Sequence, residues 1–168
     1  RIEALSFMLG FALAVATATI VGQSLGAGKP ELARLSMRKN CQIALAMMGV
    51  FAFIFLAFAK PMAMVFHPEQ DVLALAAYCV MIAALEQPAL AIYMVYSGGL
   101  RGAGDTLSPM IITIVGTLCF HLPVAYVFGI VLEWGLPGIW FGAALGWILR
   151  AIAVYILFRR GRWRRIKV

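Results

Sequence analysis

The chain has 168 residues, 64% of them hydrophobic and 12% charged, with a formal net charge of +7 and a mean hydropathy of +0.95. Water-soluble domains keep their apolar share near about half, so this composition excludes a soluble globular domain and indicates an integral membrane chain. The three cysteines, Cys41, Cys79 and Cys119, stand singly in apolar context without the spacing of a disulfide framework or a zinc site.

The sequence opens on Arg1-Ile2-Glu3, with no initiator methionine and no signal-peptide pattern, and reads as the tail end of something longer. A transmembrane helix needs about 20 mostly apolar residues to cross about 30 Å of hydrocarbon. Five stretches qualify, at about 5–25, 41–59, 72–97, 108–132 and 137–158, followed by a basic tail at 159–168. The expectation is one all-α unit over 1–168, a polytopic membrane helical bundle of five transmembrane helices.

In chain order, the first stretch carries small residues every four positions, Gly10, Ala14, Ala18, Gly22 and Gly26, the pattern by which membrane helices approach closely. It stops at "GQSLGAGK". A near copy of that glycine pattern, "GGLRGAGDT", returns where the third stretch stops. Glycine ends a helix by adopting positive φ, so Gly22, Gln23, Gly26 and Gly28 in the first motif, and Arg101, Gly102, Gly104 and Asp105 in the second, read as structural turns. Asp105 is expected to cap the helix that follows, with Thr106 and Ser108 as rivals. The match between the turns fits either internal duplication or a shared packing role.

Basic loop residues tend to stay cytoplasmic. With five crossings, all of the 14 Lys and Arg residues except Arg1, Lys60 and Arg150 fall on one face, whereas Glu3, Glu69, Asp71 and Glu133 fall on the other. Both glycine turns and the C-terminus are therefore predicted to be cytoplasmic. The closing "RRGRWRRIKV" directly follows a span, so attraction to anionic headgroups accounts for it better than nucleic acid does.

Two motifs mislead. "GAGK" lacks the phosphate-loop pattern, because position 23 is Gln and position 30 is Pro and no strand precedes it. "GAGD" resembles an intramembrane aspartyl protease motif, but such chemistry needs two neighbouring carboxylates, and the only other aspartate, Asp71, falls on the opposite face. No catalytic residue, metal site or cofactor is predicted.

An ionisable residue at mid-membrane costs at least about 2.5 kcal/mol on insertion scales, so each is a functional candidate. Glu86, His121 and Arg150 are of this kind. Glu86 stands about 18 Å along the helix from Gly98, beside Gln87 and Pro88, with Tyr93 two turns on along the same face. Such a carboxylate either exchanges a cation or a proton, or sits neutral and hydrogen-bonded between helices. Thr113, Thr117 and His121 share one face of the fourth stretch, with Pro123 next; the histidine either carries protons or is only hydrogen-bonded. Gly138, Gly142, Gly146 and Arg150 form a stripe on the last helix, which places Arg150 at a helix interface, in the transport pathway or in a structural pair. Glu86, Gln87, Tyr93, His121 and Arg150 are the ion or substrate pathway candidates.

The segments "VGQSLGAGKPELA", "LEQPALAIYMVYSGGLRGAGDTLSPM" and "GLPGIWFG", in this order and spacing, resemble the multidrug and toxic compound extrusion (MATE) family, over essentially the whole chain. The resemblance implies a twelve-helix fold in two lobes, of which these would be helices eight to twelve, the C-terminal lobe without its first helix. It further implies export of cationic or amphipathic compounds by antiport with Na⁺ or H⁺ as coupling ion, in a bacterial inner membrane. The partners implied are the lipid bilayer, small-molecule substrates and the N-terminal lobe of the same chain, with no nucleic acid. Some family members couple through an acid on the tenth helix, at a position matched near Ala89, where no acid stands; either Glu86, one turn earlier on roughly the same face, substitutes for it, or coupling rests on the first lobe. A lipid or polysaccharide-precursor flippase and a non-transporting membrane subunit are the alternatives from other classes; a membrane enzyme would need a catalytic pair.

Overall fold

The computed structural model describes residues 2–65 and 70–165. Arg1, Glu69 and Lys167 of the charge pattern lie outside the described residues. Five helices are long and apolar enough to cross a membrane: Ile2–Gly26, Pro30–Ala57, Val72–Gly102, Leu107–Val131 and Gly135–Arg160. They are α1 (Ile2–Gly26), α2 (Pro30–Ala57), α4 (Gln70–Gly102), a composite fourth span and α7 (Gly135–Arg160), with a one-turn α3 (Ala59–Met64) between α2 and α4. The fourth span is built from α5 (Leu107–Val115), a π-helical segment Gly116–His121, α6 (Leu122–Tyr126) and a second π-helical segment Val127–Val131. Among the described residues there is no strand.

α2 starts at Pro30 rather than near the apolar boundary at Cys41. The apolar run marks only the part of the helix that meets hydrocarbon. "PELARLSMRKN" continues it as an amphipathic helix whose Ala33 and Met37 are buried in the bundle, entered through a proline whose missing N–H costs nothing at a helix start, with Glu31 in the first turn facing the positive end of the dipole.

α4 is the hub. Half of its most apolar stretch, 50%, is buried inside the bundle, against 11% for the fourth span, so α1, α2 and α7 pack around α4 and the fourth span lies outermost. The core is formed by Leu90, Met94 and Val95 of α4 with Val21, Met37, Met48 and Val154 of its neighbours. A Cβ added at Gly10 would strike Met94, one at Gly98 would strike the backbone of Ala14, and one at Gly102 that of Ala18. The paired positions rise together, so α1 and α4 run parallel in backbone contact over several turns. At that range Cα–H groups reach the carbonyls of the partner helix, each contact contributing about 0.5–1 kcal/mol.

The parallel packing explains the repeated glycine motif. α1 and α4 end side by side, and they end in the same way. Gly28 (φ 68°) donates to the Leu25 carbonyl at 2.9 Å and Lys29 to Ser24 at 2.8 Å; Gly104 (φ 85°) donates to Arg101 at 3.0 Å and Asp105 to Leu100 at 2.9 Å. Each pair of bonds is a complete Schellman termination, which needs a left-handed residue after the helix. Asp105 then accepts from the Ser108 N–H at 3.0 Å and so caps the fourth span. Arg101 folds back on Ser97, its guanidinium 3.0 Å from the hydroxyl.

The stripe on α7 mates with the fourth span in antiparallel sense. Gly138 faces Phe128, Gly142 faces Ala125 and Gly146 faces His121, while Arg150 lies across Gly116.

Candidate functional site

The candidates separate into two buried polar groups, one on each side of α4. Glu86 and Gln87 are 2% and 0% exposed, at the centre of α4. The following Pro88 carries no N–H, so the helix has lost one internal donor there. Gln87 donates to the Ala83 carbonyl at 3.3 Å, and its own side-chain oxygen is buried without a hydrogen-bond partner. The Glu86 carboxyl neighbours the carboxyl of Glu3, from the first turn of α1. Ser6, 0% exposed, donates to the Glu3 carbonyl at 2.8 Å and stiffens the start of α1. Glu3 also lines a cavity of about 570 Å³ whose other walls, including Phe55, Cys79, Ala83 and Trp140, are apolar. The pair therefore connects a fully buried acid to a space a small apolar group can enter.

Glu3 is the residue the sequence reading missed. Standing two residues from the start, it counts there as a loop charge. The signal that locates it is the parallel register of α1 on α4, which sets Glu3 opposite Glu86 just as it sets Ala14 opposite Gly98.

Tyr93 does not join this pair. Two turns along α4, about 10 Å by helical rise, its hydroxyl pairs with Thr113 at 2.6 Å and its ring tilts on Trp147 at 5.4 Å. It belongs with Arg150. The Arg150 guanidinium donates to Thr117 at 2.7 Å and sits over the Trp147 ring at 4.6 Å, so the cation is held by a hydroxyl and a π face. Among the described residues it has no carboxylate partner. Thr113 and Thr117 in turn donate to the carbonyls of Pro109 and Thr113, both at 2.8 Å. Arg150 Nε and His121 Nδ1 are buried without partners. The π segment Gly116–His121 makes this geometry possible: Gly116 leaves the space the Arg150 side chain crosses, and wide turns of this kind recur at functional sites. Among the described residues no three His, Cys, Asp or Glu side chains gather as a metal site.

The helices define a polytopic α-helical membrane protein whose buried acid, Glu86, and buried cation, Arg150, sit at helix interfaces. A family model described as MatE matches residues 1–127, and the chain belongs to the MATE family. It is 33% identical over 165 residues to the probable multidrug resistance protein NorM of Thermotoga maritima, covering 98% of this chain and 36% of that protein. It is also 33% identical over 170 residues to the multidrug resistance protein PmpM of Pseudomonas aeruginosa, covering 98% and 35%. The chain thus spans about a third of the length of these relatives. Its backbone matches the crystal structure of the eukaryotic MATE transporter AtDTX14 with a TM-score of 0.91 at 20% identity, over 98% of this chain and 37% of that one. An inward-facing MATE family transporter matches with a TM-score of 0.80 at 23% identity, over 97% and 39%. The fold is that of one part of a MATE lobe.

Proposed function

We propose that this chain forms part of the C-terminal lobe, helices eight to twelve, of a secondary active transporter that exports cationic or amphipathic compounds across a bacterial inner membrane, with its C-terminus in the cytoplasm. Relatives named multidrug resistance proteins support the transport reading. The observation that carries the coupling reading is the Glu3–Glu86 pair. Two carboxyl groups in hydrocarbon surroundings hold a proton between them and release it when a cation takes its place, because the desolvated pair tolerates one positive charge and disfavours two negative ones. Proton, Na⁺ or organic cation then compete for one site. The adjacent Pro88 and the unpartnered Gln87 oxygen give α4 an acceptor and a weak point at that level.

The test is efflux of a lipophilic cationic dye by the full-length protein in vesicles under an imposed H⁺ or Na⁺ gradient. Glu86→Gln and Glu3→Gln are each expected to abolish gradient-driven movement while the protein remains folded. Unchanged transport and unchanged ion dependence in both variants would refute the coupling role, and absence of any gradient-driven movement by the wild type would refute the transporter reading.

A further inference from the structure

On the face where both glycine turns emerge, the helix ends enclose a cavity of about 1070 Å³. Arg34 of α2, Arg159 and Arg160 at the end of α7, and Arg162 beyond it line the cavity, with Asp105 and Ser108 at the start of the fourth span. A second cavity of about 200 Å³ shares Arg34 and Arg159 and adds Arg38. Five guanidinium groups thus border two adjoining cavities, the larger of which forms a trough.

Their counter-charges are few. Arg34 lies 3.9 Å from Glu31, an exposed pair, and Asp105 is engaged by the Ser108 N–H. Among the described residues, Arg159, Arg160 and Arg162 form no ion pair. Like charges gathered without counter-ions repel each other, and an anion that bridges them removes that cost. Guanidinium forks match phosphate oxygens in geometry and charge.

The remaining lining selects among phosphates. Of the leucines that line the trough, Leu107 is 65% exposed, whereas Leu157 is half-buried and Leu100 belongs to the bundle core. Trp163 closes the trough: 1% exposed, stacked on Phe158 at 5.9 Å and donating to the Phe158 carbonyl at 3.0 Å. Gly161, in the left-handed conformation at φ 71°, turns the chain so that Trp163 comes back beneath α7. A cluster of arginines beside the exposed apolar side chain of Leu107, at the level where the spans end, matches an amphiphile whose head is a phosphate.

We propose that this trough is a binding site for an anionic phospholipid of the adjacent leaflet, its phosphate held by Arg34, Arg159 and Arg162 and its glycerol backbone lying against Leu107. The site joins the starts of α2 and the fourth span to the end of α7, so an occupied trough clamps three helices that the chain leaves covalently distant. It is independent of the coupling reading above.

The test uses the full-length protein purified in a non-ionic detergent. Phosphatidylglycerol is titrated against phosphatidylcholine, with retained lipid counted by native mass spectrometry and thermal stability followed in parallel. Phosphatidylglycerol is expected to be retained and to raise the unfolding temperature, and phosphatidylcholine to do neither. Arg159→Gln/Arg162→Gln is expected to weaken retention about thirtyfold, on the basis of about a fivefold effect per arginine near an anionic surface. Lys29→Gln/Lys39→Gln removes the same charge from the same face outside the trough and is expected to leave retention unchanged. Equal loss in both double variants would reduce the effect to general surface charge and overturn the site. Equal retention of phosphatidylcholine, which carries the same phosphodiester but no net charge, would overturn the assignment to an anionic lipid. Displacement of the lipid by millimolar ATP or inorganic phosphate would reassign the trough to a soluble phosphorylated ligand. Should the arginine variant fail to fold, the wild-type lipid comparison and the phosphate competition decide alone.

Discussion

The backbone contact between α1 and α4 can be measured by adding one carbon. In Gly98→Ala the new Cβ would stand 2.9 Å from the Ala14 Cα and carbonyl carbon, and closer still to its oxygen. Every obstructing atom is backbone, so no side chain can swing away and the helices must separate. Overpacking of this kind costs about 1–3 kcal/mol, and here the cost falls in the upper half because several turns of contact are lifted together. Against it stands the helix-propensity gain of Gly→Ala, about 1 kcal/mol. Gly49 of α2 isolates that second effect, since a Cβ there meets nothing within 4 Å. The difference between Gly98→Ala and Gly49→Ala is therefore the packing cost itself, about 2–3 kcal/mol. Equilibrium unfolding of the full-length protein by sodium dodecyl sulfate in mixed micelles would measure it, with Gly102→Ala as a second reporter against Ala18. The double variant should cost less than the sum, because the first displacement makes room for the second carbon. Stabilities of Gly98→Ala and Gly49→Ala within about 0.5 kcal/mol of each other would refute the direct backbone contact.

Three further outcomes follow from local geometry. Gly28→Ala and Gly104→Ala force a Cβ into left-handed backbone and should each lower stability by about 1–2 kcal/mol in the same micelle assay, whereas Glu133→Gly, which relieves a side chain held at φ 58°, should raise it by a comparable amount. Asp105→Ala removes the acceptor for the Ser108 N–H and should cost about 1 kcal/mol, recovered by Asp105→Asn. Tyr93→Phe breaks the bond to Thr113 and should cost about 0.6 kcal/mol, the usual worth of an interhelical side-chain bond in a bilayer, with Trp147 fluorescence shifting because the two rings are in contact.

The five spans were legible in the sequence because hydrocarbon thickness imposes a length and a composition that few other structures share. The stripes of small residues were legible for a related reason: close approach in lipid demands them. Their partners were not. The stripe of α7 mates with Phe128, Ala125 and His121, none of which advertises a groove, and that of α1 meets glycines already assigned to a turn motif. The first eleven or so residues of α2 were misread as connection because they bury only Ala33 and Met37 among charged residues, too few apolar positions to register as a span, although these two continue the helical spacing of Cys41, Ala44 and Met48. The π segment Gly116–His121 goes with the passage of Arg150 across Gly116, a tertiary fact. In the site, Glu86 was visible as a charge where none is tolerated cheaply, but its partner Glu3 required the helix register. Tyr93 shared a helix face with Glu86 and still went to Thr113, because one face of a central helix serves more than one neighbour.

The union of α1 with α4 has a mechanical consequence. Two rods welded along their backbones cannot bend separately, and their tips finish in identical knots at one membrane surface. A rearrangement at Glu86, in the middle of α4 beside Pro88, reaches within about two turns the stretch where α1 and α4 are joined from Gly10 and Met94 onward. From there it must travel as a tilt of the joined segments, carrying the chain reversals at Gly28 and Gly104 with it as a single lever arm.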